Sequence, residues 1–304
     1  MKDFAAIRRP RALPPAMAVI AALVAGCAAH LLPLQRRELL TTQVGSFAVE
    51  YSDPDEGVVP RIAQAVEAAG PAIGRWGQLS SPVRIEVLPS HESLEKAVDR
   101  QGYDWLRAWA RYDEVFVQSP RAWGFIGPTQ AELNELLTHE LTHCMMYQQS
   151  SDRHSWLSKG FPLWFREGMA SYTSGQGYRW PTLEELARFL ETHRKEDPIR
   201  DPEPLYQGES DIVYSAAHHA FSYLVLRQGE SGVIQILHAM QPGPSFGEAF
   251  RQVTGIGPDD FAAQFKQYVE ERRFLGSAGY RSALRMVAAG LSRRGGRSLP
   301  SIAR

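Results

Sequence analysis

The feature that most restricts this chain is a pair of histidines four residues apart, His139 and His143, with Glu140 directly after the first. They lie in the run Glu135-Leu136-Leu137-Thr138-His139-Glu140-Leu141-Thr142-His143, where Leu136, Leu137, Leu141 and Met145 recur at helical spacing. Positions i and i+4 stand one above the other on a helix face, so the two imidazoles can share one metal ion. Glu140, one residue along, is badly placed as a ligand but can face a water on that ion. A chance HExxH in a chain of this size arises with a probability on the order of one in a hundred, and less often inside such a helix.

Two histidines leave a catalytic metal short of the usual three protein ligands. Glu167, in Pro162-Leu163-Trp164-Phe165-Arg166-Glu167-Gly168-Met169-Ala170-Ser171-Tyr172, is the best third ligand. A carboxylate in an otherwise apolar helix is costly without a cation, and a bound metal removes that cost. An ion pair with Arg166 is the structural alternative. Asp152 and His154 compete for the same role, but their Ser-Ser-Asp-Arg-His-Ser surroundings read as an exposed loop. The expected cofactor is one zinc ion.

Composition points to a local site rather than a global field. The formal net charge is −1, so nothing in the balance favours nucleic acid, and no nucleic-acid partner is expected. Of the two cysteines, Cys144 follows the motif histidine and reads as a small packing residue rather than a ligand. The other, Cys27, closes a leader: Lys2, Arg8, Arg9 and Arg11 precede an uncharged stretch whose most apolar part is Ala16 to Gly26. Val24-Ala25-Gly26-Cys27 resembles a bacterial lipobox, which implies lipidation of Cys27. With Ala28 after the cysteine, the resemblance implies an outer-membrane anchor facing the periplasm. An uncleaved membrane helix is the alternative, although Pro14, Pro15 and Pro33 shorten it. Residues 1–27 are therefore read as a leader, and 28–45 as a tether.

Phe47–Tyr51, Val83–Leu88 and Glu114–Gln118 alternate as strands do, and Pro60–Trp76 carries a helical stripe of Ile62, Ala65, Val66, Ala69 and Ile73. A short helix is expected from His91 to Gln101. After Thr129 the pattern turns helical, with candidates at 129–149, 162–174, 182–194, 212–228, 230–240, 245–254 and 258–274. Residues 276–304, basic and rich in Gly and Ser, read as a solvated tail.

His139, Glu140 and His143, followed by Trp164, Glu167, Gly168 and Ala170, resemble the gluzincins, and within them the bacterial peptidase-MA-like family. The likeness covers roughly residues 45 to 275, with its specific motifs between 139 and 172. It implies an α+β, zincin-like fold over 46–275. In that fold a small N-terminal mixed sheet (46–150) packs with helices on the HExxH helix, and an all-helical lobe (151–275) follows. It also implies zinc peptidase chemistry on a peptide or protein substrate, with Glu140 as general base. Thermolysin-like members carry an aspartate four residues after the ligand glutamate to orient a zinc histidine; here that place is Ser171. The family tends to place a tyrosine near the start of the helix after 210, which makes Tyr214 the candidate oxyanion donor, with His218 a further cleft residue. Zincins also pair extended substrate with an edge strand before the motif helix, for which Glu114–Gln118 is the expected segment. Trp105, Trp109 and Trp123 are candidates for lining the pocket. A non-catalytic metal clip in an envelope binding protein, and a metal-dependent amidase acting on a cell-wall linkage, stay open as alternatives.

Overall fold

Period-two alternation builds the front of the molecule. The computed structural model describes residues 35–206, 208–241 and 243–272. Strands β1 (Gln35–Thr42), β2 (Gly45–Ser52), β3 (Val83–Leu88), β4 (Ala108–Ala110) and β5 (Glu114–Gln118) form a five-stranded sheet in the order β1-β2-β3-β5-β4. The central strands β2, β3 and β5 run parallel, and both edges are antiparallel. Phe47 and Val49, then Val83, Ile85 and Val87, then Val115 and Val117 point to one buried face. Helix α1 (Val59–Gly74) lays its predicted stripe into the same core, with Ile62, Ala65, Val66, Ala69 and Ile73 all fully buried. On the opposite face Arg84 ties Glu50, Glu86 and Glu114 together across three strands, and α2 (His91–Val98) covers Leu88 and Phe116 with Leu94 and Val98.

The motif helix α3 (Gln130–Ser150) starts where its chemistry dictates. Thr129 accepts the Glu132 amide while the Glu132 carboxylate takes the Thr129 amide, a reciprocal cap that satisfies two otherwise orphaned donors. From Leu133 to Met146 its apolar side is buried in the core shared with α1 and the sheet. The second lobe follows as α4 (Leu163–Ser174), α5 (Leu183–Thr192), α6 (Ser210–Met240), α7 (Phe246–Thr254) and α8 (Pro258–Arg272). Aromatic rings fill the space between these helices: Trp164 stacks on Phe261 at 4.9 Å, and Phe165 meets Phe246 at 4.8 Å. Two polar pins join separate parts of the chain. Trp76 Nε1 donates to Thr173 Oγ1 over 2.8 Å, and the buried Lys159 ammonium donates to the Met240 carbonyl at the end of α6.

Several expectations need correction. Residues 28–45 are not a tether throughout, because Gln35–Thr42 is an edge strand on β2. Its Arg36, Arg37 and Glu38 are exposed, as edge strands often require, and that hid the strand. The three-residue β4 was too short to show a period, and its position moves β5 off the edge, between β3 and β4. The two helices expected at 212–228 and 230–240 are present as the two halves of α6, which meet in a kink at Gly229, whose φ of 70° and ψ of 168° no helix accepts. The leader with Cys27 and the tail 276–304 lie outside the described residues. Among the described residues no helix is long and apolar enough to cross a membrane.

Helix α4 lies hard against α6 at Gly168. A Cβ there would fall within contact distance of the Ala217 carbonyl oxygen and 2.6 Å from the Phe221 Cβ. Gly168→Ala is therefore expected to destabilise the protein by about 1–3 kcal/mol through overpacking. That is a net loss despite a helix-propensity gain of up to about 1 kcal/mol, and urea denaturation would measure it.

Candidate metal centre

Helix geometry brings the motif histidines together. His139 and His143 face the same side of α3, with their Nε2 atoms 3.3 Å apart and their rings nearly perpendicular at 5.0 Å. Glu167 reaches them from α4: its Oε2 stands 3.4 Å from His139 Nε2 and 3.7 Å from His143 Nε2. The three ligand atoms lie within 4.8 Å of one another. Tetrahedral zinc with bonds of about 2.0–2.1 Å places its ligand atoms about 3.3 Å apart, so the donor set and its spacing fit that ion.

The two oxygens of Glu167 are divided. Arg166 Nε donates to Oε1 at 3.0 Å, which leaves Oε2 for the histidines. The ion pair and the ligand role, which the sequence presented as alternatives, thus coexist on one carboxylate. Burial works against the charged form of Glu167. The imidazoles of His143 and His139 and the Arg166 guanidinium outweigh it and hold the carboxyl well below its usual range. For His139 burial opposes the imidazolium, but Glu167 and Glu140 raise its pKa regardless. Glu140 lies buried beside the pair. Desolvation lifts its carboxyl, against the pull of both histidines and of the Ala110 amide that donates to it from β4.

The sequence named no group to orient the ligands; the structure supplies one for His139. His139 Nδ1 donates to Gln176 Oε1 over 2.9 Å, which leaves Nε2 as the nitrogen that would ligate a metal beside Glu167. Gln176 sits just past Gly175, the left-handed residue that ends α4 with φ 74°, and nothing in the sequence marked it. His143 Nδ1 is buried with no hydrogen-bond partner among the described residues; its ring lies nearly parallel to Tyr147 at 6.2 Å. Ser171, in the place of the family's orienting aspartate, serves another group. Trp180 Nε1 donates to Ser171 Oγ at 3.0 Å, and Ser171 Oγ lies 2.9 Å from His218 Nδ1. Indole only donates, so Ser171 Oγ accepts from Trp180, while the direction of its bond with His218 Nδ1 follows the imidazole tautomer. Burial and the neighbouring His219 lower His218 to about 4, consistent with a neutral ring.

A cleft of about 420 Å³ opens on His139 and Glu140. Trp105 and Trp123 line it as expected, but Trp109 does not; it packs with the α2 cluster instead. Tyr214 also lines the cleft, with Tyr206 edge-on to it at 6.2 Å. Burial and the Glu167 charge push the Tyr214 phenol well above its ordinary range, so it remains a donor. His218 is turned to Ser171, and His219 Nε2 to the Pro181 carbonyl at 3.0 Å. Asp152 and His154 stay in an exposed turn, where Asp152 accepts the His154 and Ser155 amides, away from the ligand cluster. Cys144 is fully buried, with its thiol against the Arg111 carbonyl at 3.2 Å.

No protein-family model matches this chain, and neither does any curated protein. Among solved structures, 72 chains match. They include an M1 zinc metallopeptidase from Deinococcus radiodurans, at 16% identity over 80% of this chain and 53% of that one, with a TM-score of 0.43. Another is aminopeptidase A of Legionella pneumophila in complex with aspartic acid, at 12% identity over 77% of this chain and 28% of that one, with a TM-score of 0.49. This chain thus spans about half of the first structure and less of the second. Likeness this loose assigns no chemistry, which is argued from the cluster itself.

Gln176→Ala is expected to weaken zinc binding by about 10–100-fold, measurable by competition with a chromogenic chelator. His218 gives a pH signature. Its folded pKa of about 4 lies below its unfolded value of about 6.5, so its share of stability is complete above pH 6.5 and is lost as pH falls through 4. Thermal melts from pH 7 to 4 should therefore fall less steeply in His218→Asn, whose amide does not titrate and can donate to or accept from Ser171.

Proposed function

We propose that this chain is a single-zinc metallopeptidase of the gluzincin type, with His139, His143 and Glu167 as ligands and Glu140 as general base. The observation that carries this reading is the convergence of two imidazole nitrogens and one carboxylate oxygen at tetrahedral-ligand spacing, with a second acid, Glu140, buried beside them. A purely structural clip would have no use for Glu140 and would normally be closed by a fourth protein ligand. Zinc at this site would supply Lewis acidity, polarising a carbonyl and bringing the pKa of water near 7.

The remaining work falls to side chains. Glu140, its carboxyl raised by burial, takes a proton from the attacking water and hands it to the departing amine. The Ala110 amide holds that carboxylate in place from the edge strand. Tyr214, kept protonated, donates to the oxygen that gains charge as the carbonyl is attacked. Edge strand β4, rather than β5, is the strand on which extended substrate docks, since Ala108 lines the cleft. The lipobox-like run Val24-Ala25-Gly26-Cys27 supports a place in the bacterial cell envelope, with a lipid on Cys27 as anchor at the outer membrane, facing the periplasm.

Purified protein is expected to cleave peptides, to stop on chelation and to recover with zinc. Glu140→Gln should lower kcat by about 10²–10⁴-fold while zinc stoichiometry, read by metal analysis, stays at one. Full turnover by that variant would defeat the mechanism.

A further inference from the structure

We propose that the cleft beside the metal centre receives an uncharged aromatic or large apolar side chain of the substrate, on a wall made by Trp105, Trp180 and Tyr214. This deepens the peptidase reading above and rests on it. The three rings come from distant parts of the chain: the loop before β4, the segment after α4 and the start of α6. All three line the cavity that also holds His139 and Glu140. Trp180 lies parallel to Tyr214, with centroids 5.0 Å apart and planes at 15°, and Trp105 meets the same tyrosine edge-on at 6.2 Å and 81°.

The wall is preformed. Trp180 is locked by its hydrogen bond to Ser171, and Trp105 is braced from behind by Tyr103 at 5.7 Å and 87°. Yet Trp105 remains 53% exposed. A preformed aromatic surface that is left wet recovers roughly 25 cal/mol per Å² when an apolar group covers it, and ring-on-ring contact adds to that.

Most of the charged side chains lining the cavity already have partners. Glu132 accepts the Thr129 amide and hydroxyl, Arg179 binds Glu135, and Arg107 donates to the carbonyls of Asp104 and Leu106. Asp211 is exposed in the first turn of α6, where the helix dipole favours a carboxylate. A sugar ring can also stack on indole, but its hydroxyls need a fringe of uncommitted polar groups, and here the cavity's arginines and Glu132 are occupied. The geometry therefore favours a neutral, flat or bulky apolar side chain over a charged one or a saccharide.

The test uses the full chain loaded with zinc. Blocked peptides carrying Phe, Leu, Ala, Lys or Glu on either side of the cleaved bond are compared by kcat/KM, in the wild type, Trp105→Ala and Trp105→Phe. Phe or Leu should exceed Ala, Lys and Glu by at least about tenfold on one side of the bond, and Trp105→Ala should cut the Phe-to-Ala ratio by about tenfold. Trp105→Phe, which keeps a ring, should restore most of it. Saturation-transfer NMR with N-acetyl-phenylalanine amide, N-acetyl-lysine amide and N-acetylglucosamine reads the wall without turnover. Contact by the phenylalanine probe that is lost in Trp105→Ala supports the wall, even if no peptide is cleaved and the peptidase reading falls. Preference for the lysine probe, preference for the sugar, or selectivity indifferent to Trp105→Ala would each overturn it.

Discussion

Everything in the metal centre depends on how closely two helices can approach. Glu167 meets the α3 histidines only because the next residue, Gly168, lets α4 press onto the α6 backbone at Ala217. The aromatic packing around Trp164 and Phe165 then fixes the rotation of α4 about its own axis, which decides whether position 167 points inward or away. A glycine whose absent side chain faces α6 and a glutamate facing α3 are therefore two sides of one packing solution.

That solution creates an electrostatic debt, and the surrounding residues discharge it. A carboxylate in this interior would protonate if it stood alone. Between two imidazoles and a guanidinium it stays ionised and aimed, with each oxygen assigned a different partner. Glu140, on α3 next to the histidines, experiences the opposite balance, because desolvation prevails over its neighbours. Two acids with pKa values driven apart by their surroundings are what a division of labour between ligand and base requires.

Much of this was readable in advance because it is periodic. The motif helix, the α1 stripe and strands β3 and β5 followed from spacing two or 3.6 residues apart, and Gly229 announced the break in α6. What escaped notice has no period. Strand β1 is charged and outward-facing, β4 is three residues long, and each is specified by backbone pairing with a neighbour rather than by its own pattern. Gln176 is a neutral amide in a short turn, significant only because Gly175 swings it under His139. Ser171 shows the converse hazard. The resemblance puts it where thermolysin-like proteins carry an orienting aspartate, and the fold turns it to Trp180 and His218.

The stretch from Gly175 to Trp180 has a wider consequence. Within six residues it supplies the partner of His139, an ion pair from Arg179 to Glu135 one turn before the motif, and the indole that stacks on Tyr214. Ligand orientation, helix position and cleft shape are thus hung from a single short strap. Such a strap cannot be lengthened, shortened or re-aimed for one purpose without disturbing the other two, so divergence of substrate preference would have to proceed through Trp105 and the loop that carries it.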